Sequence, residues 1–120
     1  MKDGDVIIAS LPQQDGSMKP RPVLCLRRIP PFQDLLVCGI STQLQQLVPE
    51  LDETITPADP DYRTSKLKEP SLIRLGYLAV VPAAQCKGRI GSISAARLDR
   101  LLTRLCEFLK PNRHPSKNPK

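Results

Sequence analysis

The sequence is poor in aromatic residues. Its 120 residues include two Tyr, two Phe and no Trp. Proteins that bind single strands by stacking bases on aromatic platforms need several such side chains, and this chain has few to offer for that mode of binding. Its core must therefore be aliphatic, built from Leu, Ile, Val and Ala.

Closely spaced metal ligands are also missing. The sequence contains no C-x-x-C motif and no Cys/His cluster, so we predict no metal site and no cofactor. The single histidine is His114. We interpret the four cysteines as reduced, mostly buried thiols of a cytosolic protein: Cys25, Cys38, Cys86 and Cys106.

Long apolar segments are absent as well. No run approaches the roughly 18 apolar residues that a membrane-spanning helix needs, and residues 1–5 lack the apolar stretch of a signal peptide. We therefore expect a cytoplasmic protein without a membrane association. A chain of 120 residues fits one domain.

The net charge of +6 favours an anionic partner such as nucleic acid. Four of these charges lie in a C-terminal tail without acidic residues, which leaves the body with about +2: Lys110, Arg113, Lys117 and Lys120. Many proteins without nucleic-acid partners carry a body charge of about +2. We predict that residues 112–120, which are polar and contain two prolines, are disordered.

Short β-branched and apolar runs predict a chain rich in strands. Loops are predicted for residues 13–20 and 56–69, and Leu47–Ile55 is a candidate edge strand limited by Pro49. The remaining strands are predicted at Val6–Leu11, Pro22–Arg27, Asp34–Thr42, Ser71–Leu78 and Cys86–Ile93.

One amphipathic helix is predicted at the end of the domain. Ser94 suits an N-cap and Pro111 ends the helix. The apolar residues between them share one face: Leu98, Leu101, Leu102, Leu105, Phe108 and Leu109. Arg97, Arg100 and Arg104 fall on the other side, where we expect a solvated face. The predicted fold is mainly β, a small barrel or half-open antiparallel sheet with a C-terminal helix packed on it.

Five short segments, taken in order, resemble the MazF/PemK toxin family. Each is weak alone, but the ordered set extends over residues 4–109. The segments are Gly4–Ala9, the stretch from Gly16 to Arg21-Pro22-Val23-Leu24, Ile40–Gln43, Leu67–Ile73 and Arg89–Ser94. The resemblance implies an SH3-like barrel of the CcdB/Kid type, with a toxin domain in residues 1–110 and a basic tail in residues 111–120.

The same resemblance implies a function and partners. Family members cleave single-stranded RNA without a metal, leaving a 2′,3′-cyclic phosphate and a free 5′-hydroxyl. They act as homodimers whose two copies form the RNA groove, and an antitoxin fills that groove with a disordered tail. The resemblance therefore implies a toxin of a type II toxin-antitoxin system.

Metal-free RNA cleavage must orient the substrate's 2′-hydroxyl and stabilise charge on phosphate oxygens. His114 lies in the predicted tail, so the chemistry must rest on arginine, hydroxyl and backbone groups. Arg21 is the first candidate, because its guanidinium matches phosphate oxygens bidentately and Pro20 and Pro22 stiffen its backbone. Ser41 is the second candidate, and Thr42 is its rival for the same role.

Arg74 is the third catalytic candidate, again by resemblance. In one branch of the family an Arg at this place pairs with an Asp two residues later, whereas this chain has Gly76. The resemblance also suggests RNA-binding residues, which are Ser17, Lys19, Arg27, Thr42 and Gln43. For Arg27, a solvated charge on an edge strand is an equal alternative.

Three functional hypotheses follow. The first is the endoribonuclease toxin. The second is a non-catalytic barrel that binds nucleic acid or an antitoxin, such as a degenerate or gyrase-directed toxin relative, and Gly76 favours it. The third is a generic barrel for protein contacts, which leaves the ordered motif set unexplained.

Overall fold

A computed structural model of the protein describes residues 1–110. The predicted tail of residues 111–120, with His114, lies outside this range. The strands are β1 (Asp5–Pro12), β2 (Met18–Ile29), β3 (Asp34–Ser41), β4 (Glu53–Ile55), β5 (Ser71–Val81) and β6 (Cys86–Ser92). The helices are α1 (Tyr62–Ser65) and α2 (Ala95–Leu109).

The strands form one sheet in the order β4-β5-β3-β2-β1-β6, and every neighbouring pair is antiparallel. Register shifts interrupt the pairing of β1 with β6, of β2 with β3 and of β3 with β5. Such bulges bend strands and increase their twist, and the sheet curls into a half-barrel. The predicted mainly β fold with a C-terminal helix is confirmed.

The core is aliphatic and lies on both faces of the central strands. Successive residues of a strand point to opposite faces, so β1 and β2 both contribute residues to two buried clusters, one on each face of the sheet. One cluster includes α2 and contains Val6, Leu24, Leu26, Ile73, Leu101 and Leu105. The other contains Ile7, Ala9, Val23, Cys25, Leu35 and Val37.

The first hairpin is tighter than predicted. The predicted loop of residues 13–20 is a turn of residues 13–17, because Met18–Pro20 pair with Ser10–Pro12. The Gln13 backbone N–H donates to the Ser17 carbonyl at 2.7 Å, and Gly16 takes the left-handed φ of 86° that the turn requires. Strand β2 is therefore longer than its apolar residues indicate.

The predicted edge strand Leu47–Ile55 is mostly wrong. Only Glu53–Ile55 is a strand, and a 3₁₀ turn at Leu44–Gln46 precedes it. The buried carboxylate of Asp52 accepts the Val48 N–H at 2.9 Å, which favours a turn over an extended chain. The predicted loop of residues 56–69 also contains the short helix α1.

Helix α2 begins as predicted and ends where expected. The Ser94 hydroxyl accepts the backbone N–H of Arg97 at 3.1 Å, an N-cap that satisfies an otherwise unpaired donor. Leu101 and Leu105 are buried, whereas Phe108 and Leu109 near the end of the helix are exposed.

The expectation that the helix arginines form a solvated face is wrong for Arg97, whereas Arg100 is exposed and Arg104 is half-buried. Arg97 is only 3% exposed. Its Nε and Nη2 donate to the two oxygens of Asp61 at 2.9 and 3.2 Å, and its Nη1 donates to Glu53 at 2.7 Å. Arg97 Nη1 also donates to the Thr54 carbonyl at 3.1 Å, and Nη2 forms an ion pair with Asp59 at 3.3 Å. Arg100 and Arg104 also pair with Glu53. This arginine–carboxylate cluster joins α2 to β4 and to the segment before α1.

The backbone of β6 passes against the end of α1, at Gly91. A Cβ at residue 91 would lie inside the van der Waals radii of the Thr64 and Ser65 carbonyl oxygens. We expect Gly91→Ala to destabilise the protein by roughly 3 kcal/mol or more, because backbone on both sides must move. Chemical denaturation measures this change in unfolding free energy.

Gly76→Ala is the matched control. The nearest atom to its added Cβ would be Leu51 Cδ2 at 3.8 Å, an ordinary contact. This variant should stay within about 1 kcal/mol of the wild type. Equal stability of the two variants would contradict the close approach of β6 to α1.

The four cysteines are free thiols. Cys25 and Cys38 are buried as predicted, whereas Cys86 is half-buried and Cys106 is exposed. Burial raises the pKa of the Cys25 thiol to about 11, and the nearby Asp3 and Asp5 charges add to this. Cys25 is therefore not a thiolate nucleophile at neutral pH.

No helix among residues 1–110 has the length and apolar character to cross a membrane.

Candidate functional site

A cleft of about 480 Å³ opens where β2 and β3 separate. Their ladder stops at the pair Val23–Gly39, and Pro22 has no N–H to extend it. Continuing the same register places Arg21 opposite Ser41. The cleft is lined by Leu11, Pro12, Gln13, Gln14, Arg21, Pro22, Gly39, Ile40, Ser41, Thr42, Gln43, Arg74 and Tyr77.

Arg21 enters the cleft from the exposed part of β2. Its backbone pairs with Ala9 of β1, so the residue is anchored on one side only. Its Nη2 donates to Gln13 Oε1 at 3.3 Å, a long hydrogen bond that leaves most of the guanidinium available. The Gln13 amide is itself oriented by donating to the Leu11 carbonyl at 3.2 Å. Gln13 thus positions the arginine without neutralising it.

Ser41 ends β3 on the opposite wall. Its Oγ accepts the backbone N–H of Gln43 at 3.0 Å, which forms a tight local turn. A hydroxyl has two acceptor lone pairs and one donor hydrogen, so this contact leaves the Ser41 O–H free to donate into the cleft. Thr42 and Gln43 follow directly and are exposed at the rim.

Arg74 reaches the cleft because β5 bulges beside it. Cys38 pairs with Leu78, but the next residue of β3, Gly39, pairs with Arg74. Residues 75–77 are therefore extra on β5. The Asp52 carboxylate accepts the Leu75 N–H at 3.1 Å and satisfies a backbone donor in the bulge. Bulges next to functional sites commonly re-aim side chains.

The bulge also brings Tyr77 into the cleft. Its ring lies so close to Gly39 that a Cβ there would be 3.3 Å from Tyr77 Cγ. Gly39 therefore provides the space that the ring occupies. Within residues 1–110, Tyr77 is the only aromatic residue that lines the cleft.

The cleft carries an uncompensated positive charge. Among residues 1–110, its lining contains two arginines but no Asp, Glu or His. The ion pairs among residues 1–110 do not include Arg21 or Arg74; their cations are Arg27, Arg89, Arg97, Arg100 and Arg104. Two guanidiniums beside hydroxyl groups suit a phosphate-containing ligand.

The structure thus places five of the eight sequence-predicted site residues together, and three elsewhere. Arg21, Ser41, Thr42, Gln43 and Arg74 line the cleft. The Ser17 hydroxyl instead donates to Asp15 at 2.6 Å within the hairpin turn, Lys19 pairs with Leu11 in the hairpin, and Arg27 pairs with Asp3 at 2.9 Å.

Gln13 and Tyr77 also line the cleft, and neither was predicted as a site residue from the sequence. The scarcity of aromatic residues is a signal that could have drawn attention to Tyr77, since each aromatic side chain in such a chain is notable. No local pattern indicates Gln13, because its role depends on how the hairpin folds back beside Arg21.

The model of a known protein family matches residues 2–109. The family is described as the PemK-like, MazF-like toxins of type II toxin-antitoxin systems. The chain belongs to this family. The resemblance in the ordered motifs is thereby confirmed, and membership of a type II toxin family implies an antitoxin partner.

A solved structure supports the fold of this PemK/MazF-family protein. The Mycobacterium tuberculosis toxin MazF-mt6 matches with a TM-score of 0.67 and 21% identity. The match covers 91% of this chain and 99% of that chain. A comparison with curated proteins finds no match. At this identity the structural likeness supports the toxin fold and not a particular activity.

Proposed function

We propose that this PemK/MazF-family toxin is a metal-independent endoribonuclease that cleaves single-stranded RNA, including mRNA. The observation that carries the proposal is the cleft itself. Arg21 and Arg74 line it and form no ion pair within residues 1–110, and Ser41 lines it beside them. The family supplies the reaction class, and the charge of the cleft suits its phosphate substrate.

In the proposed reaction the 2′-oxygen of the substrate attacks the adjacent phosphorus. The bond to the 5′-oxygen breaks, the 2′ proton leaves to solvent and the 5′-oxygen takes up a proton. Arg21 and Arg74 stabilise the charge that builds on the phosphate oxygens. Ser41 orients the 2′-hydroxyl or a phosphate oxygen, and Thr42 is the alternative for that role.

We also propose that the toxin acts in the cytoplasm as a homodimer and that its antitoxin occludes the cleft. Family resemblance supports both proposals. The open form of the cleft is compatible with a groove that a second copy would extend.

The experiment is cleavage of a long single-stranded RNA by the purified protein in EDTA, with mapping of the new 5′ ends. We expect discrete cuts that leave 5′-hydroxyl ends and 2′,3′-cyclic phosphates. An RNA with 2′-deoxy nucleotides at the mapped positions is the matched control and should resist. Intact RNA, or cleavage of the deoxy control, would contradict the proposal.

One observation favours the alternative of a non-catalytic toxin relative that binds nucleic acid, an antitoxin or gyrase. The position that carries an acid in one family branch is Gly76, and it is exposed with room for a side chain. RNA or gyrase binding without cleavage products would select this alternative.

A further inference from the structure

The tip of the β2–β3 hairpin presents an aromatic side chain to solvent. Phe32 is 81% exposed, more than any other large apolar residue of the described chain. It follows Pro30 and Pro31, which restrict the backbone, and precedes Gln33 in a left-handed conformation at φ 62°. A chain with two Phe and two Tyr thus has one of them at a turn tip, outside the core.

Positive charge lies beside this tip. A polar basin of about 490 Å³ is lined by Lys2, Asp3, Arg27, Arg28, Pro30 and Gln33. Three of these side chains are cationic and one is anionic. None of the basin's residues lines the cleft around Arg21, so the basin is a separate surface. We call Lys2, Arg27, Arg28 and Phe32 the hairpin-tip site.

Asp3 organises the basin without neutralising it. One oxygen accepts from Arg27 Nη1 at 2.9 Å, and the other accepts the backbone N–H of Arg28 at 3.1 Å. The ion pairs among residues 1–110 do not include Lys2 or Arg28. The Arg28 guanidinium therefore remains available for an anion.

We propose that the hairpin-tip site is a second contact for single-stranded RNA. Phe32 stacks on a base, while Arg28 and Lys2 hold phosphates. An exposed aromatic ring beside free cations is the combination by which proteins hold single strands without reading their sequence. A protein partner is disfavoured because the basin beside Phe32 is lined by polar and charged groups. The proposal rests on the proposed RNA substrate, since it gives RNA outside the cleft a place to bind.

The test compares two single-stranded RNAs by fluorescence anisotropy. One is short enough to occupy only the cleft and the other is several times longer. Both carry 2′-fluoro groups in place of the 2′-hydroxyls, so that neither can be cleaved. Phe32→Ala should weaken binding of the long RNA by roughly 5- to 150-fold, the range of one lost base stack. It should leave binding of the short RNA unchanged.

Two matched controls accompany this variant. Phe108→Ala removes the other phenylalanine, which is 61% exposed on α2, and should not change either affinity. Arg28→Ala should lower the slope of log affinity against log salt for the long RNA by roughly 0.7, the value for one phosphate contact on a single strand. Arg63→Ala, which removes an exposed arginine from α1, should leave that slope unchanged.

The outcomes separate this inference from the proposed function. If the wild type binds both RNAs and Phe32→Ala binds the long RNA equally well, the hairpin-tip site is wrong while the RNA cleft stands. If the wild type binds neither RNA, both proposals fail. If Phe32→Ala lowers the molar mass in light scattering and leaves RNA affinity intact, Phe32 belongs to a subunit contact and the inference is overturned.

Discussion

Arg21→Ala should lower the rate constant of RNA cleavage by a factor on the order of 10² to 10³, the usual cost of losing one preorganised donor to a developing oxyanion. The side chain is exposed and makes a single long hydrogen bond, to Gln13. Its removal should therefore leave the unfolding free energy within about 0.5 kcal/mol of the wild type. Single-turnover cleavage and a thermal melt on the same sample measure the two quantities.

Two comparisons sharpen this test. Arg21→Lys keeps the charge but loses the planar fork, so its rate should fall between those of the wild type and Arg21→Ala. Arg63→Ala removes an exposed arginine from α1 and should cleave at the wild-type rate. Wild-type cleavage by Arg21→Ala would contradict the assigned role, whatever the behaviour of the other two variants.

The pH dependence of the cleavage rate tests the same mechanism independently. Within the described residues 1–110, the cleft is lined by no His, Asp or Glu, the side chains that most often serve as general acids and bases. A reaction that loses its 2′ proton to solvent should accelerate steadily with pH between about 6 and 9. A bell-shaped profile would place a titrating acid or base at the scissile phosphate and contradict the proposed step.

Arg97→Met should destabilise the protein by about 3–5 kcal/mol, which is typical for breaking a buried ion pair. The methionine would fill much of the space but leave the carboxylates of Asp61 and Glu53 buried without their main partner. Urea unfolding monitored by circular dichroism measures the loss. Native domains have unfolding free energies of about 5–15 kcal/mol, so Arg97→Met should remove a large fraction of the protein's stability.

Arg100→Met is the matched control. It lies on the same helix and pairs with the same Glu53, but its side chain is 52% exposed. Exposed ion pairs contribute little, so this variant should lose less than about 1 kcal/mol. If the two variants lose equal unfolding free energy, burial does not determine how much each ion pair stabilises the protein.

The loss of unfolding free energy in Arg97→Met should depend on pH. Burial alone would raise the pKa of Asp61, but hydrogen bonds from Arg97 and the Ser94 N–H, together with the Arg97 charge, hold it below its usual 3.8. A carboxyl group with a lowered folded pKa stabilises the fold above its unfolded pKa and loses that contribution as pH falls through the folded value. The stability gap between wild type and Arg97→Met should therefore narrow below about pH 4.

Sequence patterns identified the helices and strands that are determined by residues close together in the chain. The N-cap residue Ser94 and the repeated leucine spacing predict helix α2. The predicted strand Val6–Leu11 lies within β1. The sequence locates the partner of Arg21 only approximately. The register at the hairpin tip, where Ile29 pairs with Asp34, would place Arg21 opposite Thr42, and the bulge between Cys25 and Arg27 shifts it to Ser41.

Other features depend on residues that are distant in the chain. Arg97 has the helical phase of a surface residue, and its burial depends on partners about forty positions earlier, chiefly Glu53 and Asp61. The β5 bulge likewise depends on Asp52, whose carboxylate accepts a backbone hydrogen bond there. No pattern in residues 74–78 predicts the three extra residues, so the approach of Tyr77 to the cleft was not foreseeable.

The exposed rim of the cleft has a consequence for how this scaffold can change. Gln13, Gln14 and Gln43 belong to turns, and none of them is a core residue. Substitutions at such positions usually alter stability by less than about 0.5 kcal/mol. We therefore expect substitutions at Gln14 and Gln43 to alter which RNA the proposed site prefers almost independently of folding. Gln13 should be kept in a library of such variants, because its side chain positions Arg21.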